Sequence, residues 1–392
     1  MKIKSLFVIM VVLCTLLSGC KSQNKQTTKQ ISDKILSKSS LNEISTDYDY
    51  KQVFGNVKVK TIREQMDDGR PWCQLEISNK GEIFGFTAAA KGNLSQLLVY
   101  NLNTGKAEVY YTVKDNFQPL FFTYNDDYLS WLEYTPSNNL PSRVMLYNRK
   151  TKETTEISKN IDNLTDVLQC KDALSKDYVL WTGIQSKDNI NKYYIYKYDI
   201  KSGKNSIFQE NAINPIIGID FVAWLAAENS KNSNSSVYVQ TLKDNMIKKI
   251  THDQNPLYIA TDGSSIVYSG NDNLDYIKSQ TSYNALHNLT LYNNKKTVDL
   301  SKSIPCYFEF TEISKNFIGW SQDQKIRVYY RKKNKMAVLS TENANCSTVL
   351  VSDKYFMWNS PVNKDEMVGK QQAIDDGMAL SDLHIICVDD IK

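Results

Sequence analysis

The sequence predicts an all-β fold, a seven-bladed β-propeller, on three observations. A polar turn that runs into a short apolar stretch ending in an aromatic recurs along the 392 residues: NDDYLSW (125–131), SKDYVLW (175–181), GIDFVAW (218–224), DGSSIVY (262–268), SKNFIGW (314–320) and SDKYFMW (352–358), with KGEIFGF (80–86) as a looser first copy. The closing aromatics, Phe86, Trp131, Trp181, Trp224, Tyr268, Trp320 and Trp358, are 45, 50, 43, 44, 52 and 38 residues apart, the length of one four-stranded propeller blade. The stretches are apolar at consecutive positions, as strands buried on both faces are. Six blades is the alternative count.

The N-terminus comes first in the element order. Lys2 and Lys4 precede an apolar run from Leu6 to Leu17, too short to span a bilayer, and small residues at 18 and 19 lead into Cys20. This is the pattern of a bacterial lipobox: residues 1–19 are expected to be removed, and the Cys20 thiol to carry lipid. Residues 20–47 are rich in Lys, Gln, Ser and Thr and read as a flexible tether. As a coil, about 27 residues span roughly 30 Å. The propeller is assigned to 48–392. The formal net charge of +4 resides in the signal and the tether, which leaves the folded part near neutral. That argues against a nucleic-acid surface.

Within each repeat, a second strand follows the aromatic, as in LLVYNLNTGK (97–106) and YYIYKYDIKSGK (193–204), and ends in a turn that leads to an outer strand. Pro119, Pro215, Pro256 and Pro305 lie upstream of their aromatics, where a strand can begin without a donor. The last repeat lacks a fourth strand. Residues 50–62 have no other home and are expected to supply it, closing the ring. The only candidate helix after the signal lies within 364–380.

The unit TDGSSIVYSG…LTLYNNKKTVDLS resembles the repeats of TolB-like bacterial propellers, in which an Asp-Gly turn leads into an apolar strand. Only Asp262-Gly263 keeps that turn, and such propellers often have six blades. The resemblance covers residues 50–392 and implies a scaffold, not an activity.

Motifs for chemistry are sparse. His252, His287 and His384 stand apart, and no HExxH or CxxC spacing occurs, so no metal and no cofactor is expected. There is no G-x-S-x-G elbow, and no room for a hydrolase domain after the seventh repeat. Arg63, Arg70 and Arg143 are the arginines that could form a sialidase-like triad. GNDNLDY (270–276) gathers oxygens that calcium could use, but a solvated loop explains it. The anchor tryptophans read as inter-blade core. Trp72 is off-phase and is the better candidate for an exposed aromatic, although even there core is favoured over a ligand contact. Cys73 and Cys346 are the cysteines best placed to pair, although free thiols are expected.

The expected role is a non-catalytic, monomeric binding scaffold, lipid-anchored on the extracytoplasmic side of the membrane. Its ligand would be an envelope protein, peptide or glycan. The alternatives are a glycosidase-like polysaccharide-processing enzyme with an axial site and a structural subunit of an envelope complex. The connections between the second and third strands are long, so partner contacts are expected at Asp272, Asp275, Tyr276, Tyr283, Lys364 and Glu366.

Overall fold

The computed structural model describes residues 41–43 and 47–391, except 88–93, 115–116, 136–140, 169, 189, 230–231, 252–254, 272–287, 294–295, 301–308, 323–324, 340–348 and 363–379. Seven small antiparallel sheets form a seven-bladed β-propeller. Blade 1 is Cys73–Ile77, Glu82–Thr87, Gln96–Asn101 and Lys106–Thr112, strands a to d from the axis outward. Blades 2 to 6 follow in order. In blade 3 the inner strand is split into Asp166–Val167 and Ala173–Leu174, both paired with Tyr178–Lys187.

The repeated sequence has a local cause. At the a–b turn a Ser or Asn oxygen accepts backbone N–H groups two and three residues on. Asn125 Oδ1 accepts from Asp127 and Tyr128, and Ser175 Oγ from Asp177 and Tyr178. Ser314 and Ser352 accept from Phe317 and Tyr355. The side chain thus closes the turn and delivers an aromatic to the start of strand b. In blade 5 Asp262 caps the turn, and Gly263 takes φ +92°. The c–d turns use the same device: Asn101, Asn148 and Asp199 accept from the turn backbone.

The core is seven separate wedges, one between each pair of neighbouring blades. Each anchor from blade 2 onward packs on the blade before it. Trp131 meets Phe84 and Leu97 of blade 1, Trp181 meets Leu132 and Val144, and Trp320 meets Val267 and Leu289. The expectation that these tryptophans are core holds. Blade 1 is the exception. Trp72, read as the better candidate for exposure, is 1% exposed and fills the wedge between blades 7 and 1, beside Met357, Leu383 and Ile385. Gly85 makes room for it: a Cβ there would stand 2.7 Å from the Trp72 ring. Phe86, half-buried, packs instead toward blade 2.

Closure comes from the N-terminal segment, at slightly different residues than expected. Lys60–Arg63 pairs antiparallel with Ser381–Cys387 as the outer strand of blade 7, and Arg63 Nε meets Asp382 Oδ1 at 2.6 Å. Residues 50–54 form a short helix, α1 (Tyr50–Phe54), whose Phe54 packs on Phe317 and Tyr330. Part of the stretch read as tether is also ordered. Leu41–Glu43 adds in parallel to the outer edge of blade 5, and Asp47–Asp49 to that of blade 6. The helix candidate within 364–380 falls mostly outside the described residues.

Trp72→Ala should lower stability by about 3–5 kcal/mol, as deletion of a buried Trp does. Phe86→Ala should cost clearly less. Chemical denaturation of both variants checks the order, and a larger loss at Phe86 would mean that Trp72 does not fill the closing wedge.

Candidate functional site: the axial cluster

Two inner strands and one inner-strand break bring charged side chains together at the axis. Strand a is irregular in most blades. Its register shifts between Gln74 and Glu76 in blade 1 and between Glu309 and Glu312 in blade 6. A bulge re-aims a side chain without breaking the sheet. Glu76 and Glu312 emerge from these bulges, and Lys171 comes from the break in the inner strand of blade 3.

The three meet across the axis. Lys171 Nζ lies 2.6 Å from Glu76 Oε2 and 3.4 Å from Glu312 Oε1. The Lys171 side chain keeps 34% of its surface accessible, against 8% for Glu76 and 15% for Glu312, so it is the most accessible side chain of the three. Burial pushes the Glu312 carboxyl up to about 7; Lys171 opposes this and Glu76 adds to it. Burial works against the Lys171 charge, but Glu312 and Glu76 outweigh it and hold the ammonium well above its ordinary range. Tyr258 of blade 5 is held protonated, first by burial and then by the charge of Glu312. Tyr124 of blade 2 is raised in the same way and donates to the Ile77 carbonyl at 3.0 Å. The axis therefore holds a cation, a carboxyl poised near neutrality and the Tyr258 phenol, which is a set fit for acid–base work, whereas the Tyr124 hydroxyl is committed to the Ile77 carbonyl.

Two further carboxyls are buried beside this site. Asp172 follows Lys171, accepts from Ser130 Oγ at 3.1 Å and is pushed up to about 8 by burial. Glu64 lies at the closure, accepts from Gln74 N at 3.0 Å and is pushed up to about 8, again by burial.

Sequence reading placed the site elsewhere. Asp272, Asp275, Tyr276, Tyr283, Lys364 and Glu366 lie outside the described residues, as do Cys20, His252, His287 and Cys346. The arginine triad does not assemble. Arg63 pairs with Asp382, Arg70 with Asp68, and Arg143 with Glu133 under the Phe117 ring, each away from the axis. His384 is held between Thr61 and Ser360. Cys73, Cys170 and Cys387 are free thiols. Glu-Ile-Ser occurs at 43–45, 76–78, 156–158 and 312–314, so no local motif singles out the two axial glutamates.

This fold and site define a propeller with a charged axis. No family model matches the chain, and no curated protein matches it. Among solved structures, an oligogalacturonate lyase from Vibrio parahaemolyticus superposes with TM-score 0.56 at 12% identity, covering 84% of this chain and 93% of its own. An oligogalacturonate lyase in complex with manganese does so with TM-score 0.52 at 11% identity, covering 86% and 99%. Pyrococcus horikoshii acylaminoacyl peptidase gives TM-score 0.54 at 10% identity, with 81% of this chain matching 51% of that one. At these identities the likeness is one of fold. The structures resembled are nonetheless enzymes, which overturns the expectation of a non-catalytic binding scaffold.

Glu64, Asp172 and Glu312 hold their protons more tightly in the folded chain than in the unfolded one. Their contribution to stability is therefore full below pH 4 and falls as pH rises toward 8. Thermal denaturation from pH 5 to 9 should show Tm declining up to pH 8. Glu64→Gln and Asp172→Asn should each flatten that decline and add on the order of 1 kcal/mol or more at pH 8. A Tm that climbs over the same range would contradict the burial argument.

Proposed function

We infer that the chain is an envelope enzyme whose axial cluster cleaves a uronate-bearing oligosaccharide by β-elimination. The observation that carries this is the convergence of Glu76, Lys171 and Glu312 from blades 1, 3 and 6. The match to oligogalacturonate lyase over 84–86% of this chain and 93–99% of that one supports it as the choice of chemistry.

The derivation needs only the chain's own groups. A uronate carboxylate entering the channel competes for the Lys171 ammonium, and the 3.4 Å contact to Glu312 is the one it displaces. Lys171 then neutralises the charge that grows on the carboxylate as the adjacent C–H bond breaks. Released from Lys171, Glu312 takes that proton in its ionised form. The electron pair forms the new double bond and expels the glycosidic oxygen, to which Tyr258 is the available donor. Glu76 keeps Lys171 charged and aimed throughout.

One similar structure is described with manganese. Among the described residues, no three His, Cys, Asp or Glu side chains group as a metal site, so the donor set does not fit and no step runs through a metal. The two carboxylates on one lysine also favour a second reading, hydrolysis by an acid and base pair. The assay separates the two, because only elimination leaves an unsaturated, ultraviolet-absorbing product.

The reading includes attachment and family. The lipobox before Cys20 supports a membrane-anchored, extracytoplasmic lipoprotein with a monomeric domain, and the Asp262-Gly263 repeat supports a TolB-like propeller.

With polygalacturonate as substrate, absorbance of the unsaturated product should rise with pH through about 7, as Glu312 ionises. Glu312→Gln should lower kcat by about 10²–10⁴ without lowering Tm. Reducing ends without the chromophore would mean hydrolysis. If neither product forms on any uronate polymer, and Glu312→Gln lowers Tm, the cluster is a structural tie. Cys20→Ala should abolish incorporation of labelled fatty acid, and retained label would remove the anchor.

A further inference from the structure

The ring has two faces, and one of them carries three independent features. The a–b and c–d turns lie together on it. The first feature is where the chain enters. Leu41–Glu43 runs parallel to Lys296–Asp299, the outer strand of blade 5, which begins at its c–d turn. Leu41 therefore sits at the a–b/c–d face.

The second feature is charge. Six c–d turns each place an exposed lysine at the rim of this face: Lys106, Lys150, Lys201, Lys243, Lys296 and Lys332 in blades 1 to 6. Several carboxylates of the inner a–b turns are engaged with neighbouring blades. Asp126 pairs with Lys80, Asp353 with Lys315 and Asp262 with Arg331. The third feature is apolar. In blade 4 the two turns are joined by a 2.8 Å bond from Leu242 N to the Asp220 carbonyl. They expose Ile219 by 76%, Leu242 by 45% and Met246 by 44%, half of the exposed large apolar side chains among the described residues.

We propose that this face rests on an anionic lipid bilayer, with Ile219, Leu242 and Met246 at the headgroup boundary and the lysine rim over the anionic headgroups. Lysines near such a surface gain from its negative potential, and exposed apolar side chains gain by leaving water. The opposite b–c face then looks away from the membrane. The proposal builds on the Cys20 anchor for its location, but the face is tested separately from the anchor.

The test uses the full chain in vesicles of phosphatidylglycerol and phosphatidylcholine with brominated acyl chains. The tryptophans at 72, 131, 181, 224, 320 and 358 are all buried. A tryptophan added at an exposed site therefore reports bilayer contact by quenching. Ile219→Trp is compared with Leu94→Trp, whose position on the opposite face is 39% exposed. The added fluorescence of Ile219→Trp should fall at least twofold and that of Leu94→Trp should not. Changing Lys150, Lys201 and Lys243 together to Gln, or raising salt, should weaken the quenching. Equal quenching at both sites, quenching at Leu94→Trp alone or none at either overturns the proposal. Fatty-acid label in the same samples reports the anchor. Label with no quenching at Ile219→Trp removes the face and keeps the anchor, whereas quenching there without label keeps the face and removes the anchor.

Discussion

Everything in this structure depends on closure. The apolar surface is divided into seven wedges, and each blade supplies one side of two of them. No blade can bury both of its faces alone. A ring left open between blades 7 and 1 would expose Met357, Leu383 and Ile385 on one side and Trp72 and Ile83 on the other. It would also leave a bare strand edge, the surface on which β proteins aggregate. Lys60–Arg63 removes that edge by pairing with the C-terminal strand, so the two ends of the chain lock each other. The parallel additions at blades 5 and 6 cover two further edges with the same segment.

A closed ring can hold charge on its axis that a looser fold could not. Moving Glu76, Glu312 and Lys171 out of water is costly unless they are paired. The strands that present them belong to blades fixed by their wedges, so the groups are held together at no further cost in chain entropy. Burial then acts on them unequally. Lys171 stays charged because two carboxylates face it, whereas Glu312 is drawn toward neutrality. A cation beside a half-ionised carboxyl is an arrangement for moving protons. It arises here from bulges and a broken strand, where inner-strand regularity was given up.

The two faces divide the remaining work. Turns on the a–b and c–d side are short and capped by their own side chains, and neighbouring turns bond to each other, as Asn125 does to the Ser175 carbonyl and Lys354 to Asn79. That side is stiff and basic at its rim. The opposite side carries the connections between strands b and c, which span only two residues in blades 3, 4 and 6 but are long in blades 5 and 7, where a rigid frame tolerates length at little entropic cost.

The sequence by itself determined the blade. Ser or Asn before an aromatic closes the a–b turn through bonds only two and three residues long, and consecutive apolar residues require burial on both faces. Both are local, so period, strand order and the core role of the tryptophans could be read directly. The need for a strand from the N-terminus also followed from the missing one. What the tertiary structure alone decided is which residues share the axis. Glu76, Lys171 and Glu312 are neighbours only because seven blades complete a circle. Trp72 could be read as core, but not where in the core: its partners are Leu383 and Ile385, at the far end of the sequence, and no local pattern records a contact that ring closure creates.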